Sequence, residues 1–412
     1  MNPIFGKEIA QVLSELSLDI EPLKLAKTLR KHLPSELARS AQELHLLRLR
    51  GRRRFDNDFL PYLNAKGLEQ ATPQAIASAR ADSIRARVGS SVVWDATCGV
   101  GSDSVAMHRA GIDVVSSDLD PKNCQFARAN LFAQRERVPS PSLREPRVIV
   151  ADARHRAVHA EHLVLDPDRR ARGTRSLEPA AWSPSFRESV ELASRFDGAC
   201  LKLAPALAVE QVEDELDLLH KHERDLSWEW TSWRGSLIEL TLWTGALAQE
   251  GDRGELRHVH AVDREGLGHR CVGVPQSIDA LAPEALGDIE YLAEPDPALI
   301  RSGLLGLIAA QEGLAPIAPR CAYLGGSQPA TSPLLTNWKV VDSCSLDRKR
   351  VRSMLSVHGI GPVTVKKRGH PDSSEVLERK YRGQGDQRGV LAVARLERGH
   401  IAFLLSQMQA AI

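Results

Sequence analysis

The sequence predicts a doubly wound α/β fold, a parallel sheet with helices on both faces, preceded by an N-terminal helical domain and followed by a small C-terminal α+β module. Three observations predict it. Residues 1–85 carry apolar positions at helical spacing and few strand signals. From Val92 onward, short apolar strands alternate with helical stretches, the pattern of successive βαβ units. A stretch rich in Pro and Gly, 283–333, then separates this region from a last block of strand and helix signals. The boundaries expected are 1–85 for the helical domain, 86–282 for the α/β domain, 283–337 for a connecting segment and 338–412 for the module.

Taken in order, Leu13 and Leu16, then Leu23, Ala26 and Leu29, space like buried helix faces. Pro34-Ser35 and Thr72-Pro73 read as helix starts, with Ser35 or Thr72 as the cap and Pro73 in the first turn. The parallel strands are expected at 92–94, 114–117, 148–150, 163–165 and 199–203. Segments 228–233, 237–243 and 257–262 are joined by short connections and suit an antiparallel edge on that sheet. In the module, strands are expected at 338–341, 363–367, 390–396 and 400–405, with helices at 346–355 and 374–381.

Composition narrows the function classes. A formal net charge of +1 gives no strong overall field, so affinity for nucleic acid must come from local patches. No apolar run approaches the ~20 residues of a membrane span. The N-terminal MNPIFGKEIAQVL lacks the charged-then-apolar order of an export signal. Six cysteines, Cys98, Cys124, Cys200, Cys271, Cys321 and Cys344, form no C-x-x-C pair and no Cys/His cluster with zinc spacing. Reduced thiols, a cytoplasmic location and no metal are the expectation.

The strongest motif is Val92-Val93-Trp94-Asp95-Ala96-Thr97-Cys98-Gly99-Val100-Gly101. An apolar strand ends in an acid, and a Gly-x-Gly turn leads into a helix beginning near Asp103. Gly99 and Gly101 tolerate positive φ and admit close approach of the backbone to a ligand. A dinucleotide fingerprint would need a third Gly or Ala where Ser104 stands, and Gly directly after the strand where Asp95 stands. The acid repels phosphates and attracts a sulfonium or an amino group. The next strand ends in Asp118, with Asp120 as the alternative, placed to accept the hydroxyls of a ribose. The third gives Asp152, placed to accept from an adenine amino group. Taken singly Asp152 reads as a solvated loop acid; three acids at successive strand ends in this order read as a binding set.

With DATCGVGSDS, SSDLDP and VADA in this order, the chain resembles the class I methyltransferase superfamily. GLEQATP at 67–73 is similar to trimethylguanosine-synthase-like enzymes, in which a Thr-Pro helix start lies beside the methyl donor. More narrowly, these motifs with LVLDPDRR, LKLAPAL, EYLAEPDPALIRSGL and the basic tail resemble bacterial methyltransferases carrying a C-terminal THUMP-like domain. The resemblance spans nearly the whole chain. It implies a Rossmann-like sheet, S-adenosylmethionine as cofactor, and donor binding at Asp95, Gly99, Gly101 and Asp118. Thr97, Thr72 and Asp152 complete the expected donor set; the resemblance does not supply the substrate.

On the acceptor side the fourth strand ends Asp166-Pro167-Asp168-Arg169-Arg170, and Asp166 and Pro167 are the candidate catalytic residues. Amine-directed nucleic-acid methyltransferases place Pro-Pro-aromatic after the acid or amide. Here Asp168 and Arg169 replace the second Pro and the ring, and Arg169, Arg170 and Arg172 favour a phosphate or carboxylate instead. Lys202 either lines the crevice floor beside these candidate substrate ligands or stands as an exposed strand-end lysine. Cys200 reads as a small buried strand residue.

From Trp338 to Ile412 fourteen Lys/Arg stand against seven Asp/Glu, which leaves the rest of the chain net acidic. The clusters are Arg348-Lys349-Arg350 with Arg352, Lys366-Lys367-Arg368, and Arg379-Lys380 with Arg382; Arg48, Arg50 and 52–54 form a second patch. Segregated charge of this kind is the footprint of nucleic-acid binding. Gly359-Ile360-Gly361-Pro362 is expected to admit a phosphate backbone at close range. An RNA methyltransferase is the first expectation. A methyltransferase for an anionic small molecule or protein, and a donor- or RNA-binding protein without turnover, stand as alternatives.

Overall fold

The computed structural model describes residues 3–56, 58–89, 91–137, 144–169 and 176–407. They fall into two compact units, Met1–Trp228 with Glu239–Gly254, and Glu229–Ile238 with Glu255–Ile412.

The first unit opens with α1 (Lys7–Ser14), α2 (Pro22–His32) and α3 (Ser35–Gly51), which share a core of Ile9, Leu13, Leu25, Leu29, Ala41 and Leu44. The buried stripe of α2 is Leu25 and Leu29; Leu23, expected inside, is 71% exposed. Next come α4 (Ala65–Gln70) and α5 (Gln74–Val88). Neither expected cap acts as one: Pro34 and Pro73 hold the N-cap positions, without side-chain capping bonds. Phe59, Leu60, Leu63, Leu68, Ala77, Ala81 and Ile84 pack in one core with Val93, Val105, Met107 and Val164. Burial of each such large apolar side chain stabilises by about 1.5–3 kcal/mol. The shared core joins residues 47–84 to the sheet, and residues 1–85 fall within the same compact unit as its parallel strands.

The sheet is built from β1 (Val92–Asp95), β2 (Asp113–Asp118), β3 (Arg147–Val150), β4 (His162–Leu165) and β5 (Gly198–Leu203), all parallel. Between and after them lie α6 (Ser102–Arg109), α7 (Pro121–Arg137), α8 (Phe186–Ala193) and α9 (Asp217–Lys221). Then follow β6 (Leu226–Trp233), β7 (Ser236–Gly245), β8 (Arg253–Val262) and β9 (Gly268–Gly273). The order is β3-β2-β1-β4-β5-β7-β6-β8-β9, with β7 antiparallel to β5. In register, Asp95 lies beside Ser116 and Val164, Asp118 beside Val150, and Leu165 beside Leu201. This brings the carboxyl ends of all five parallel strands to one edge, where ligands bind in open α/β sheets.

The second unit contains a seven-stranded sheet. The segment expected as a connection supplies much of it: β10 (Tyr291–Pro295), α10 (Pro297–Arg301), α11 (Leu305–Gln311), β11 (Ala315–Pro316) and β12 (Leu324–Gly326). The module follows as β13 (Leu335–Ser345), α12 (Arg348–Val357), β14 (Ile360–Arg368), α13 (Ser374–Tyr381), β15 (Gln387–Arg395) and β16 (His400–Gln407). The order is β11-β12-β10-β13-β16-β15-β14, so 283–337 is part of the sheet and not a linker. One face buries Leu292, Tyr323, Trp338, Ala392 and Phe403; the other buries Val365, Leu391 and Leu404 beneath Val351, Leu355, Leu377 and Tyr381 of α12 and α13. Among the described residues no helix is long and apolar enough to cross a membrane.

Candidate active site

The loop after β1 is shaped by its glycines. Gly99 has φ +55° and Gly101 φ +94°. A Cβ on Gly101 would meet the Ala127 backbone at 3.0 Å, whereas the space beyond Gly99 is open. The loop thus packs against α7 on one side and leaves main chain accessible on the other. Asp118 ties it to β2: one carboxylate oxygen accepts from the Gly99 N–H at 2.9 Å. The second accepts from Asp120 N at 2.8 Å and Asn123 Nδ2 at 3.2 Å. Thr97 ties the loop to β4, its Oγ1 accepting from the Asp166 N–H at 2.7 Å.

Asp95 lies beneath this loop, 3% exposed, and accepts a hydrogen bond from Ser104, whose hydroxyl also accepts from Ser116 at 2.8 Å. Burial, then the nearby Asp103 charge, pushes its carboxyl up to about 7. Asp152 is engaged by Arg154, which donates from Nε at 3.0 and 3.1 Å and from Nη2 at 2.6 Å. These bonds, with one from the Arg154 backbone, hold it at about 2. The expected adenine acceptor is therefore already engaged by three N–H groups of Arg154, beside which an adenine amino group would have to bind.

Lys202 also departs from expectation. It is buried, and its ammonium donates to Thr72 Oγ1 at 2.8 Å and Asp103 Oδ2 at 3.0 Å and forms an ion pair with Asp166 Oδ2 at 2.6 Å. Two of its three N–H donors go to Thr72 and Asp103, and the ion pair with Asp166 turns the ammonium toward the chain's own groups. Thr72, expected as a helix cap, instead donates to Asp103 at 3.0 Å. Asp103 continues inward to Arg80, which also pairs with Glu239. Burial alone would lower the Lys202 ammonium and raise the Asp103 carboxyl. Their neighbours reverse both effects: Asp103 and Asp166 hold Lys202 above its ordinary value, and Arg80 and Lys202 hold Asp103 at about 2. Three carboxylates against two cations leave the chain of charges net negative, and its most exposed member is Asp166, with 39% of its side chain accessible.

Asp168 exchanges backbone hydrogen bonds with Ser183 at 2.9 and 3.1 Å, and Pro167 is buried, so the turn after β4 is tied down. Arg169 is half-buried; Arg170 and Arg172 lie outside the described residues. Cys200 is fully buried, and burial pushes its thiol up, against any nucleophilic role. Arg80, Asp103 and Glu239 had no motif to announce them. The available signal was Arg80 in the middle of the apolar stripe Ile76, Ala77, Ala81 and Ile84, where an unpaired charge is not tolerated.

The residues fit a cationic nucleoside donor. Asp95, Asp118 and Asp166 supply acceptors around an open glycine loop, and the nearest cation, Lys202, is already neutralised. That set disfavours a pyrophosphate and suits a sulfonium and an amino group. Parallel strands in the order 3-2-1-4-5 with an antiparallel β7 beside β5 and this loop define a class I methyltransferase architecture.

Comparisons with known proteins agree with that class. Residues 335–407, from the start of β13 to the end of β16, match the THUMP domain-like family. Over 345 residues, 82% of this chain and 85% of the relative, the sequence is 28% identical to an uncharacterized S-adenosylmethionine-dependent methyltransferase of Mycobacterium tuberculosis strain CDC 1551 / Oshkosh. The same figures hold for its counterpart in strain H37Rv. A crystal structure of a candidate methyltransferase from Porphyromonas gingivalis W83 shares the fold at a TM-score of 0.71 and 17% identity, covering 98% of this chain and 99% of that one. The chain has the architecture of a class I S-adenosylmethionine-dependent methyltransferase that ends in a THUMP-like domain.

Proposed function

We infer that this methyltransferase modifies RNA, docked by α12 and α13 of the C-terminal module and presented to Asp166 and Pro167 at the end of β4. The observation that carries the reading is the basic helical face. Arg348, Lys349, Arg350 and Arg352 on α12, and Arg379 and Lys380 on α13, are exposed and form no salt bridge among the described residues. Arg350 also donates to Ser345 and Arg379 to the Glu375 carbonyl, but neither contact neutralises the charge. Surface cations without a carboxylate partner attract a polyanion through counterion release, and contacts to phosphates position a strand without reading its sequence. The resemblance to the THUMP domain-like family supports the same partner.

Much of the positive charge in the other basic clusters turns back to the fold. Lys366 and Arg368 pair with Glu294, and Lys367 donates to the His370 carbonyl. Arg54 donates to the carbonyls of Leu68, Glu69 and Ala71 at the end of α4, and Arg52 pairs with Asp19. Gly361 is packed so closely on Gly385 that a Cβ would lie 1.8 Å from its carbonyl oxygen, so this glycine serves chain packing and not the expected phosphate contact.

S-adenosylmethionine held at the strand ends supplies an activated methyl carbon. The chain's part is to hold the donor with Asp118 and the Gly99 loop and to align the acceptor through Asp166. Where amine-directed enzymes carry a second Pro and a ring, Asp168 and Arg169 remove base stacking, and the arginine favours an anionic neighbour such as an RNA backbone. The test is transfer of labelled methyl from S-adenosylmethionine to bacterial lysate separated into RNA, protein and small molecules. Label is expected in RNA, with Asp166→Ala lowering it more than tenfold. Label confined to the protein or small-molecule fraction overturns the reading.

A further inference from the structure

We propose that Lys202 is a positioning residue for Asp166, held in place by a buried relay of Thr72, Asp103, Arg80 and Glu239, and that it makes no contact with substrate. The proposal rests on the reading of Asp166 as the acceptor-orienting group. Five charged side chains come from five different elements, β7, α5, α6, β5 and the end of β4. They alternate in sign from Glu239 inward to Asp166 outward. The Lys202 ammonium gives hydrogen bonds to Thr72 and Asp103 and an ion pair to Asp166, so its three close partners all belong to this set.

The consequence for Asp166 is geometric. Its backbone N–H is fixed by Thr97 and its Oδ2 by Lys202, while no hydrogen bond to Oδ1 is made among the described residues. A carboxylate held at one oxygen, on a backbone that is itself tied down, presents its remaining oxygen in one direction, as acceptor alignment requires. Lys202 itself is pinned by Asp103, which Arg80 clamps from the far side and Glu239 in turn holds. Thr72 contributes the third acceptor and comes from the N-terminal helical segment, so that segment takes part in setting the site.

The experiment compares wild type, Lys202→Met, Lys202→Arg and the shape-preserving Thr72→Val in the full chain. Amide hydrogen exchange is followed at 166–169, S-adenosylhomocysteine affinity is measured by calorimetry, and methyl transfer is measured to total RNA. Lys202→Met is expected to speed exchange at Asp166 and Asp168 at least tenfold and to cut transfer at least tenfold, with S-adenosylhomocysteine affinity within about threefold of wild type. Thr72→Val is expected to give a weaker form of the same pattern, and Lys202→Arg to restore most of it. Unchanged exchange at 166–169 in Lys202→Met overturns the proposal. So does loss of S-adenosylhomocysteine binding in parallel with faster exchange throughout the chain, which marks a general structural role. If Lys202→Met does not fold, Thr72→Val carries the decision on the same readouts. Should wild type fail to methylate RNA, the RNA reading falls, and exchange and affinity still decide the role of Lys202.

Discussion

In the first unit Arg80 and Lys202 lie buried between Glu239, Asp103 and Asp166, while in the module Arg348, Lys349, Arg350 and Arg352 stand exposed on α12 without a carboxylate partner. The same residue types do opposite work in the two places. A buried cation loses its hydration and persists only beside opposite charge, so each cation of the inner set is clamped between two carboxylates, which fixes geometry. An exposed cation keeps its hydration, acts over about a Debye length, and weakens as salt rises, so the outer set suits recognition of a polyanion. The cluster on β14 lies between these cases: Lys366 and Arg368 are partly exposed, yet both turn back to Glu294. Positive charge in sequence marks an interface only where the fold leaves it unspent.

The largest expected effect comes from breaking the inner set. Arg80→Met leaves Glu239 and Asp103 buried without their shared cation, which is expected to destabilise the first unit by about 3–5 kcal/mol in denaturant unfolding. Asp103 fixes the sign with pH. Its carboxyl is depressed to about 2, so its contribution is present above the unfolded carboxylate value and is lost as pH falls through the folded one. Acid unfolding of Arg80→Met is therefore expected to begin at higher pH than in wild type. A variant as stable as wild type would show that the pair is not the support its burial suggests.

A smaller effect is expected from the outer set. Replacing Arg348, Lys349 and Arg352 by Glu is expected to leave the unfolding curve nearly unchanged but to weaken RNA binding. Removing about three phosphate contacts lowers the slope of log affinity against log salt by about 2 for a single strand. Lys366→Met is the control from the intermediate cluster: it is expected to lower stability modestly and leave the salt slope alone. Filter binding of total RNA over a salt series checks both. If Lys366→Met moves the slope as much as the α12 variant, the contrast between spent and unspent charge fails.

The difference between the two sets also explains what could be read beforehand. The strand, glycine turn and helix from Val92 to Arg109 were legible because these elements are contiguous, and the structure has β1 and α6 where the pattern puts them. The module's strands and helices were legible for the same reason, since hydrophobic period and caps are local. The relay was not legible. Arg80 and Glu239 are 159 residues apart, and Thr72 and Lys202 are 130 apart. Their pairing is decided by which faces of α5, β5 and β7 the core turns inward. The same limit misread Thr72 as a cap and 283–337 as a linker: β10 shows its role only when it pairs with β13.

Asp95 gives the finest test, because it belongs to neither set and its charge is conditional. Burial and Asp103 push its carboxyl up to about 7, so in the donor-free protein it exchanges its proton near neutrality. The sign for stability follows from linkage. Between the unfolded carboxylate value near 4 and the folded value, the native state holds a proton that the unfolded chain releases, so stability falls as pH rises through that window. A cation brought beside Asp95 favours the ionised form, and binding of S-adenosylmethionine should then release a proton below neutrality. Affinity is expected to fall by up to about tenfold per unit as pH drops below about 7, and to level off above it. Calorimetry at about pH 6, 7 and 8 in two buffers of different ionisation enthalpy counts that proton. S-adenosylhomocysteine separates the two cationic groups of the donor: it keeps the amino group and lacks the sulfonium. If it shows the same pH dependence, Asp95 answers to the amino group; if its profile is flat, Asp95 answers to the sulfonium. Asp95→Asn is expected to flatten both profiles, and a flat wild-type profile for both ligands would remove Asp95 from the donor site.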